Sequence, residues 1–193
     1  NGAVTITAYD IDLSGDLTAG TKVLTVHPTG MIGLGGTSKD MHVAGAELAK
    51  ITAGGMVLGS GTSGDMTVHG VTAPNSNTVT NTLTLAATAD GKKITFASAG
   101  STFNGLAVQA DNGVILSFNV LTNTGSLYVD GNTDDTTASA PATATDGMTV
   151  VGTKTITAAT VLTLEAGTAV VKAQGALTLL ATAGIVLEAW GTV

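Results

Sequence analysis

The chain has 193 residues and is 44 % hydrophobic, yet only 3 % of its residues are aromatic and 11 % are charged. Large aromatic side chains bury the most area in thick globular cores, so their scarcity excludes such a core and favours thin layers of small and β-branched side chains. The net charge of −7, with seven Lys and no Arg, excludes the clustered basic surface that nucleic-acid binding requires.

Short apolar–any–apolar segments recur along the chain, separated by Gly, Asn, Asp or Ser. This period-2 pattern predicts short strands with one buried face. The helix candidate at 44–50 is bracketed too tightly by Gly45 and Gly54 to be stable, and 75–77, just after Pro74, is predicted to be a loop. The predicted strands, in chain order, are 4–6, 11–13, 23–26, 31–34, 41–43, 56–58, 66–68, 83–85, 94–96, 106–108, 114–116, 127–129, 161–164, 177–179 and 185–187.

The sequence also repeats with a period longer than the spacing between strands. Val4 and Val23 are 19 residues apart, and Leu83 and Phe103 are 20 apart. The segment 2–8 resembles 175–181, and 82–86 and 160–164 are further copies of the same strand. These spacings predict an all-β fold, a parallel β-solenoid (β-helix) of about 20 residues per coil, and the general rule for parallel crossovers makes it right-handed.

One stretch departs from the pattern, because 132–146 contains no apolar residue larger than Ala. We predict a long loop or linker near 131–146 between a solenoid segment at 1–130 and a continuing segment at 147–193. The chain starts at Asn1 rather than Met, which indicates an internal fragment or a processed product. The most apolar stretch, 173–187, is too short and too interrupted to span a bilayer, so no membrane insertion is expected.

Several segments share a pattern with one family of surface proteins. Residues 4–15 (V-T-I-T-A-Y-D-I-D-L-S-G) resemble the V-T-L-x-A-x-x-I-x-L-x-G repeats of filamentous haemagglutinin-like exoproteins, which are large adhesins. Residues 32–36 and 46–54 resemble that family's I-x-L-G-G and A-E-L-x-x-I-T-A segments, and 56–60 and 66–68 continue the match. The resemblance covers 1–130 well and 146–193 more loosely, and nothing matches the family's secretion-signal domain.

The resemblance implies a secreted protein, extracellular or at the cell surface, with a right-handed β-helix that serves adhesion or surface structure. The implied partners are other copies of the chain, through head-to-tail stacking or covalent tandem repeats, and a host or matrix surface. The function expected is a structural or adhesive segment that forms a rigid rod or an end-to-end filament.

Two groups of carboxylates could gather oxygen ligands for Ca²⁺. One is formed by Asp10, Asp12 and Asp16, and the other by Asp130, Asp134 and Asp135. Neither matches an EF-hand loop or a calcium-binding nonapeptide repeat, and Asp at turns usually makes local hydrogen bonds. We therefore predict no metal site and no cofactor, and keep the second group as the calcium candidate.

The histidines and glutamates give little support for catalysis or metal binding. His42 and His69 follow Asp40 and Asp65 closely, but the chain has no Cys and no helical His pair, so outward-facing strand positions are expected for them. The three Glu residues lie far apart in sequence and Arg is absent, so the chain is not expected to be an enzyme.

Recurrent Thr-x-Thr pairs, such as Thr5/Thr7 and Thr82/Thr84, leave a second function open. Flat Thr ladders can order water, so the alternative is a solenoid that binds a repetitive surface such as ice or polysaccharide. Thr is also common in any strand, and the pairs do not recur at a constant spacing.

Both ends of the sequence have the pattern of solenoid interior, with no amphipathic helix or charged strand to cap them. Uncapped coils expose unpaired backbone groups, which predicts stacking of one end on another. The interface residues predicted for this stacking are Asn1, Gly2, Val4, Ile6, Trp190 and Val193.

Overall fold

The computed structural model describes residues 2–134, 146–167 and 169–188. The fold is all-β, with 50 % strand and 5 % helix. Alternating apolar residues and β-branched Val, Ile and Thr account for the strands, and Gly-, Asn- and Ser-rich turns limit each strand to a few residues. In chain order the strands are β1 (Val4–Thr7), β2 (Leu17–Thr18), β3 (Val23–His27), β4 (Ile32–Gly35), β5 (Met41–Val43), β6 (Ile51–Thr52), β7 (Gly55–Ser60), β8 (Met66–His69), β9 (Thr82–Ala87), β10 (Ile94–Phe96), β11 (Ser101–Phe103), β12 (Gly105–Ala110), β13 (Val114–Leu116), β14 (Val120–Thr122), β15 (Leu127–Asp130), β16 (Gly147–Val150), β17 (Lys154–Ala158), β18 (Val161–Glu165), β19 (Val170–Ala173), β20 (Leu177–Ala181) and β21 (Gly184–Leu187).

The strands form long parallel sheets. An eight-stranded sheet has the order β1-β3-β7-β9-β12-β15-β18-β21, and a seven-stranded sheet has the order β19-β16-β13-β10-β8-β4-β5. A four-stranded sheet, β11-β14-β17-β20, and a two-stranded sheet, β2-β6, complete the set among the described residues. From β9 onward the chain visits the eight-, seven- and four-stranded sheets in the same order each time, an arrangement compatible with a β-solenoid.

The chain returns to the eight-stranded sheet after unequal distances. Val4 pairs with Leu24, 20 residues later, as the expected period requires. Leu24 pairs with Met56, 32 residues later, because β4, β5 and a short helix lie between them. The stretch from 131 to 146 lengthens another return, and most of it, 135–145, lies outside the described residues. Of the expected loop, only residues 131–134 and 146 lie in the described part of the chain.

The core consists of columns in which apolar side chains from successive strands lie in register. In the eight-stranded sheet each inward position aligns with an apolar residue on the next strand, and this alignment lets parallel strands bury one face continuously. One column contains Ile6, Val26, Leu58, Leu85, Val108, Val129, Leu164 and Leu187. A parallel column in the seven-stranded sheet contains Met41, Ile32, Met66, Ile94, Val114, Met148 and Val171.

Three sequence predictions about strands are wrong. The segment 11–13 is not a strand, because its chain is held by side chains rather than by a strand partner. The proposed copies also occupy different sheets: 2–8 contributes β1 to the eight-stranded sheet, whereas 175–181 contributes β20 to the four-stranded sheet. Likewise Leu83 pairs with Leu106 rather than with Phe103, since Phe103 belongs to β11.

Two short helices stand where none was expected. Helix α1 (Gly45–Leu48) begins where the Ala44 amide donates to Glu47 Oε2 at 2.8 Å, so the glutamate side chain satisfies a backbone donor at the helix start. Helix α2 (Ala73–Ser76) replaces part of the predicted loop at 75–77. Both are single turns, which explains why their sequence signal is weak.

Candidate interaction surfaces

The C-terminal end of the eight-stranded sheet exposes residues that occupy core positions. Ile185 and Leu187 on β21 pair in register with Leu162 and Leu164, whose side chains are fully buried. Yet Ile185 and Leu187 are each 44 % exposed, because among the described residues β21 is the last strand of its sheet. Leu180, on β20 of the four-stranded sheet, is 49 % exposed but pairs in register with Thr157 rather than with a core residue. An apolar strip at a sheet edge is the kind of surface that another strand covers.

The N-terminal end contains three of the predicted interface residues. Val4 and Ile6 lie on β1, face the core side and are half-buried, and Gly2 is exposed. The other predicted interface residues, Asn1, Trp190 and Val193, lie outside the described residues.

At the N-terminal end, the edge of the seven-stranded sheet is covered by residues 9–14, although no helix or charged strand lies there. The amide of His42, on the edge strand β5, donates to Asp10 Oδ1 at 2.9 Å. The amide of Leu13 donates to Glu47 Oε1 at 3.0 Å, and Lys50 Nζ donates to the Leu13 carbonyl. The chain from 9 to 14 therefore lies along the end of the seven-stranded sheet.

A further contact fixes the start of this segment. Tyr9 is exposed, and its hydroxyl donates to Asp40 Oδ1 at 3.1 Å, which raises the pKa of Tyr9 through that hydrogen bond and the nearby charge. Asp40 Oδ2 in turn accepts from the Met31 amide at 2.9 Å. The sequence signal for this contact is Asp10 directly before the apolar segment 11–13, but that segment was predicted to be a strand and Asp10 was considered only as a calcium ligand.

Two residues of the calcium candidate, Asp130 and Asp134, lie in the described part of the chain. Asp130 ends β15 and is buried, Asp134 is exposed, and Asp135 lies outside the described residues. Asp130 Oδ1 accepts from the Asn132 amide at 3.0 Å, a local turn contact of the kind expected for Asp. Within 2–134, 146–167 and 169–188, no three His, Cys, Asp or Glu side chains are placed to hold a metal ion, and this includes Asp10, Asp12 and Asp16.

Asp130 instead takes part in an acidic row on the outer face of the eight-stranded sheet. Asp130 and Glu165 are register partners on neighbouring strands. The Tyr128 hydroxyl lies between them, 2.6 Å from Glu165 Oε2 and 3.2 Å from Asp130 Oδ2. Burial, the hydrogen bond to Glu165 and the charge of Asp130 all raise the pKa of Tyr128. The phenol therefore holds its proton as a bridge between two carboxylates, an arrangement that sequence spacing did not reveal.

Asp146 directly follows 135–145, which lie outside the described residues. Burial raises its pKa first, and the charges of Asp111 and Asp134 raise it further. The carboxyl group of Asp111 is buried and accepts from the Gly91 amide at 2.6 Å. Sequence analysis did not single out either residue.

All three histidines lie on strands. His42, on β5, has its Nε2 2.9 Å from the Gly35 carbonyl oxygen, His69 ends β8, and His27 ends β3. For His42 and His69 the sequence predicted a strand position.

The outward face of the eight-stranded sheet is chemically irregular. Its central column reads Thr5, Thr25, Val57, Thr84, Ala107, Tyr128, Thr163 and Val186. Four of these eight positions are Thr, and no two neighbouring positions beyond Thr25 are both Thr. A regular two-column Thr array is absent from this described face.

Two shallow grooves cross the outer surface. One, of about 300 Å³, is lined by residues that include Gly54, Gly55, Val23 and Thr82. The other, of about 240 Å³, contains Phe118, which is partly exposed, with Lys154 Nζ 6.0 Å from its ring centroid. That separation is at the outer limit of a cation–π contact.

The described part of the chain contains no helix that is both long and apolar enough to cross a membrane. The chain matches no protein-family model, no curated protein and no solved structure. The resemblance to filamentous haemagglutinin-like exoproteins therefore stays a prediction made from the residues.

Proposed function

We propose that this chain is a rod-forming structural segment of a secreted surface exoprotein, with the parallel sheets wound as a right-handed β-solenoid. The observation that carries the proposal is the register of the core columns, in which Val26, Leu58 and Leu85 lie on successive parallel strands. The parallel strands before and after each strand in the sheet bury its core-facing side chains. Stacked units of this kind extend a protein along an axis without changing its width.

The outer faces support a structural role over the alternative of binding ice or polysaccharide through Thr-rich faces. A lattice-binding face needs equal side chains at equal spacing. The central outward column instead places Val57 after Thr25 and Ala107 after Thr84. Variable outer residues over a constant interior are what a shaft requires, because only the interior positions must stack.

End-to-end joining of copies is the second part of the proposal. Ile185 and Leu187 continue core columns and remain exposed at the end of the sheet. Burying apolar area stabilises association by about 25 cal/mol per Å² before the costs of ordering the partners. A strand from a second copy, or from a tandem repeat of the same protein, covers them.

The surface location is tested by immunolabelling the native cells with antibodies raised against this segment. We expect labelling of intact, unpermeabilised cells and rod-like appendages in negative-stain electron microscopy of the native protein. Labelling only after permeabilisation would refute the proposed location.

End-to-end joining is tested by sedimentation velocity. Changing both core-register residues, Ile185→Asp with Leu187→Asp, should abolish association, whereas Val186→Asp on the same strand should preserve it because Val186 faces outward in register with Thr163. Circular dichroism checks that both variants keep the wild-type strand content. Equal association of the two variants would contradict the role of β21.

A further inference from the structure

The chain visits the sheets in a fixed order, and one place in that order is filled by a strand from elsewhere in the chain. After each of β3, β7, β9, β12, β15 and β18, the next strand along the chain belongs to the seven-stranded sheet. After β1 the chain instead passes through residues 9–14, which contain no strand. The segment 11–13 therefore lies in the sequence where a strand of the seven-stranded sheet is due.

β5 occupies the place that this order assigns to 11–13. Since β1 pairs with β3, the segment after β1 is due beside β4, the strand after β3. The same edge of β4 pairs with β5, in which Met41 lies opposite Ile32. Val43 lies opposite Leu34 in the same pairing. Because β5 follows β4 in the chain, it is an insertion that has taken the edge of β4.

The displaced segment has the side-chain pattern of the strand that replaces it. Ile11 and Leu13 pack against the core, and Asp12 between them is exposed. Met41 and Val43 of β5 have the same spacing and are fully buried. Since side chains alternate along a strand, each segment offers two apolar side chains on one face and a polar residue on the other.

Side chains from the region after β5 hold the backbone of Leu13. Its amide donates to Glu47 Oε1 at 3.0 Å, and its carbonyl accepts from Lys50 Nζ. Glu47 also accepts from the Ala44 amide at 2.8 Å, which joins this contact to the start of helix α1. In a strand the same amide and carbonyl pair with a neighbouring strand. Leu13 therefore has the backbone contacts of a displaced strand, with side chains as the partners.

Asp10 holds the start of the segment against β5. Its Oδ1 accepts from the Ile11 amide and from the His42 amide, each at 2.9 Å. The Met41 amide donates to the neighbouring strand, and amides alternate in direction, so the His42 amide points away from β4. The position of the segment therefore depends on β5 being paired with β4.

The two segments lie close enough to exchange places. Adjacent strands are about 4.8 Å apart, so 11–13 has to move by about one strand spacing to reach β4 once β5 has left. Residues 8–10 and 14–16 link the segment to β1 and β2. Three extended residues span about 10 Å, so these links allow the shift while β1 and β2 stay paired.

We propose that 11–13 and β5 are alternative strands for one edge of β4, and that the structure shows the arrangement in which β5 is paired. When β5 leaves, 11–13 takes its place, with Ile11 opposite Ile32. Leu13 then lies opposite Leu34, and the seven-stranded sheet keeps its number of strands. A ligand that binds only one of the two arrangements shifts the equilibrium between them. This strand exchange goes beyond the structural role proposed above and does not depend on it.

Hydrogen exchange at single amides, followed by NMR on the full chain, tests the strand exchange. Asp10→Ala removes the acceptor of the His42 amide and leaves the buried core unchanged. We expect amide protection to fall at 41–43 and to rise at 11–13, because the arrangement with β5 paired has lost a contact. The opposite signs distinguish strand exchange from simple fraying.

Asp12→Ala is the matched control for this variant. Asp12 is exposed here and faces outward in both arrangements, so wild-type exchange is expected. In Asp10→Ala, loss of protection at 11–13 with no change at 41–43 would show that the segment only frays. That result, or unchanged exchange at both segments, would overturn the inference.

A stronger variant removes β5 from the core. Met41→Asp with Val43→Asp places two charges at fully buried positions, which β5 avoids by leaving the sheet. We expect 41–43 to lose protection and 11–13 to gain it, with the strand content of the wild type in circular dichroism. Loss of protection at both segments would show that 11–13 only rests on β5. If this variant fails to fold, the result for Asp10→Ala decides.

The replacement strand itself is tested in that background. Adding Ile11→Asp with Leu13→Asp should abolish the new protection at 11–13 and lower the melting temperature further, because both side chains now enter the core. Adding Asp12→Ala instead should change neither. Equal melting temperatures for the two combinations would contradict the proposed pairing of 11–13 with β4.

Discussion

Gly59, within β7, is a position at which the neighbouring strand requires glycine. Its φ of 98° lies in the left-handed region, and a Cβ there would stand 2.0 Å from the Ala86 carbonyl oxygen on the neighbouring strand. Only glycine allows both the conformation and the close backbone approach. The constraint comes from the neighbouring strand, so stacking itself selects this residue.

Gly59→Ala should lower the free energy of unfolding by about 2 kcal/mol or more, because a non-glycine residue in this region is strained and the clash is with rigid backbone. Urea unfolding measures the change. Gly61→Ala is the matched control, since Gly61 is exposed and its added Cβ would meet only the Thr88 hydroxyl at 3.7 Å. Equal losses in the two variants would contradict the argument.

Tyr128 is the second residue whose chemistry depends on its neighbours. Its pKa is raised by burial, by the hydrogen bond to Glu165 and by the charge of Asp130. A raised pKa means that the folded state holds the phenol proton more tightly than the unfolded state, whose pKa is about 10. This contribution to stability is complete below about pH 10 and is lost as the pH rises further.

In a Tyr9→Phe background, where Tyr128 is the remaining tyrosine, the tyrosinate absorbance should appear only well above pH 10 while the protein stays folded. As the pH rises above 10, thermal unfolding should show a smaller fall in stability for Tyr128→Phe than for the wild type, because the variant has no phenol proton to lose. A midpoint at the ordinary tyrosine value would contradict the bridged geometry.

At the scale of the element, a strand's stability depends on its place in the stack. Leu164 on β18 and Leu187 on β21 are register partners in one column. Leu164 is fully buried because strands lie on both sides, whereas Leu187 has a strand on one side. The same side chain therefore contributes differently at the two positions.

Leu164→Ala should lower the free energy of unfolding by about 2–5 kcal/mol, the usual cost of a core cavity. Leu187→Ala should cost clearly less at protein concentrations where the chain is monomeric, because its side chain is already 44 % exposed. Urea unfolding at low concentration measures both. Equal costs would show that β21 is covered within a single chain.

For the whole molecule, the stack predicts a gradient of stability along its axis. Strands β9 and β12 lie in the middle of the eight-stranded sheet, and β1 and β21 lie at its edges. Interior strands open only when neighbouring strands on both sides separate, whereas edge strands fray.

Amide hydrogen exchange should therefore be slowest in β9 and β12 and fastest in β21. If copies join end to end at this edge, raising the protein concentration should slow exchange in β21, because a second copy then covers it. Exchange in β21 that does not depend on protein concentration would contradict end-to-end joining there.

Alternation in the sequence predicted most of the longer strands, because an apolar–any–apolar segment between turn residues has few other ways to bury one face. β11 was not predicted because Ser101 stands where the alternation needs an apolar residue, whereas β16 was missed although Met148-Thr149-Val150 has the same pattern as the predicted strand 66–68. Their strand form comes from pairing with neighbours. The segment 11–13 had the alternation but no strand to pair with in the fold.

The acidic row of Tyr128, Asp130 and Glu165 could not be predicted for a related reason. Asp130 and Glu165 are 35 residues apart in sequence and become neighbours only through strand register. Because the return between them includes 131–146 and is longer than the predicted period of about 20 residues, no fixed period reveals that register.

The sequence by itself determined a thin, β-rich fold with parallel-type strands, because its small and β-branched residues alternate and its Gly-rich turns are short. Tertiary structure alone decided which sheet each strand joins, and that Asp10 caps an edge while Ile185 and Leu187 stay exposed. The physical reason is that alternation fixes which face of a strand is buried, whereas the partner of that strand depends on where the rest of the chain returns.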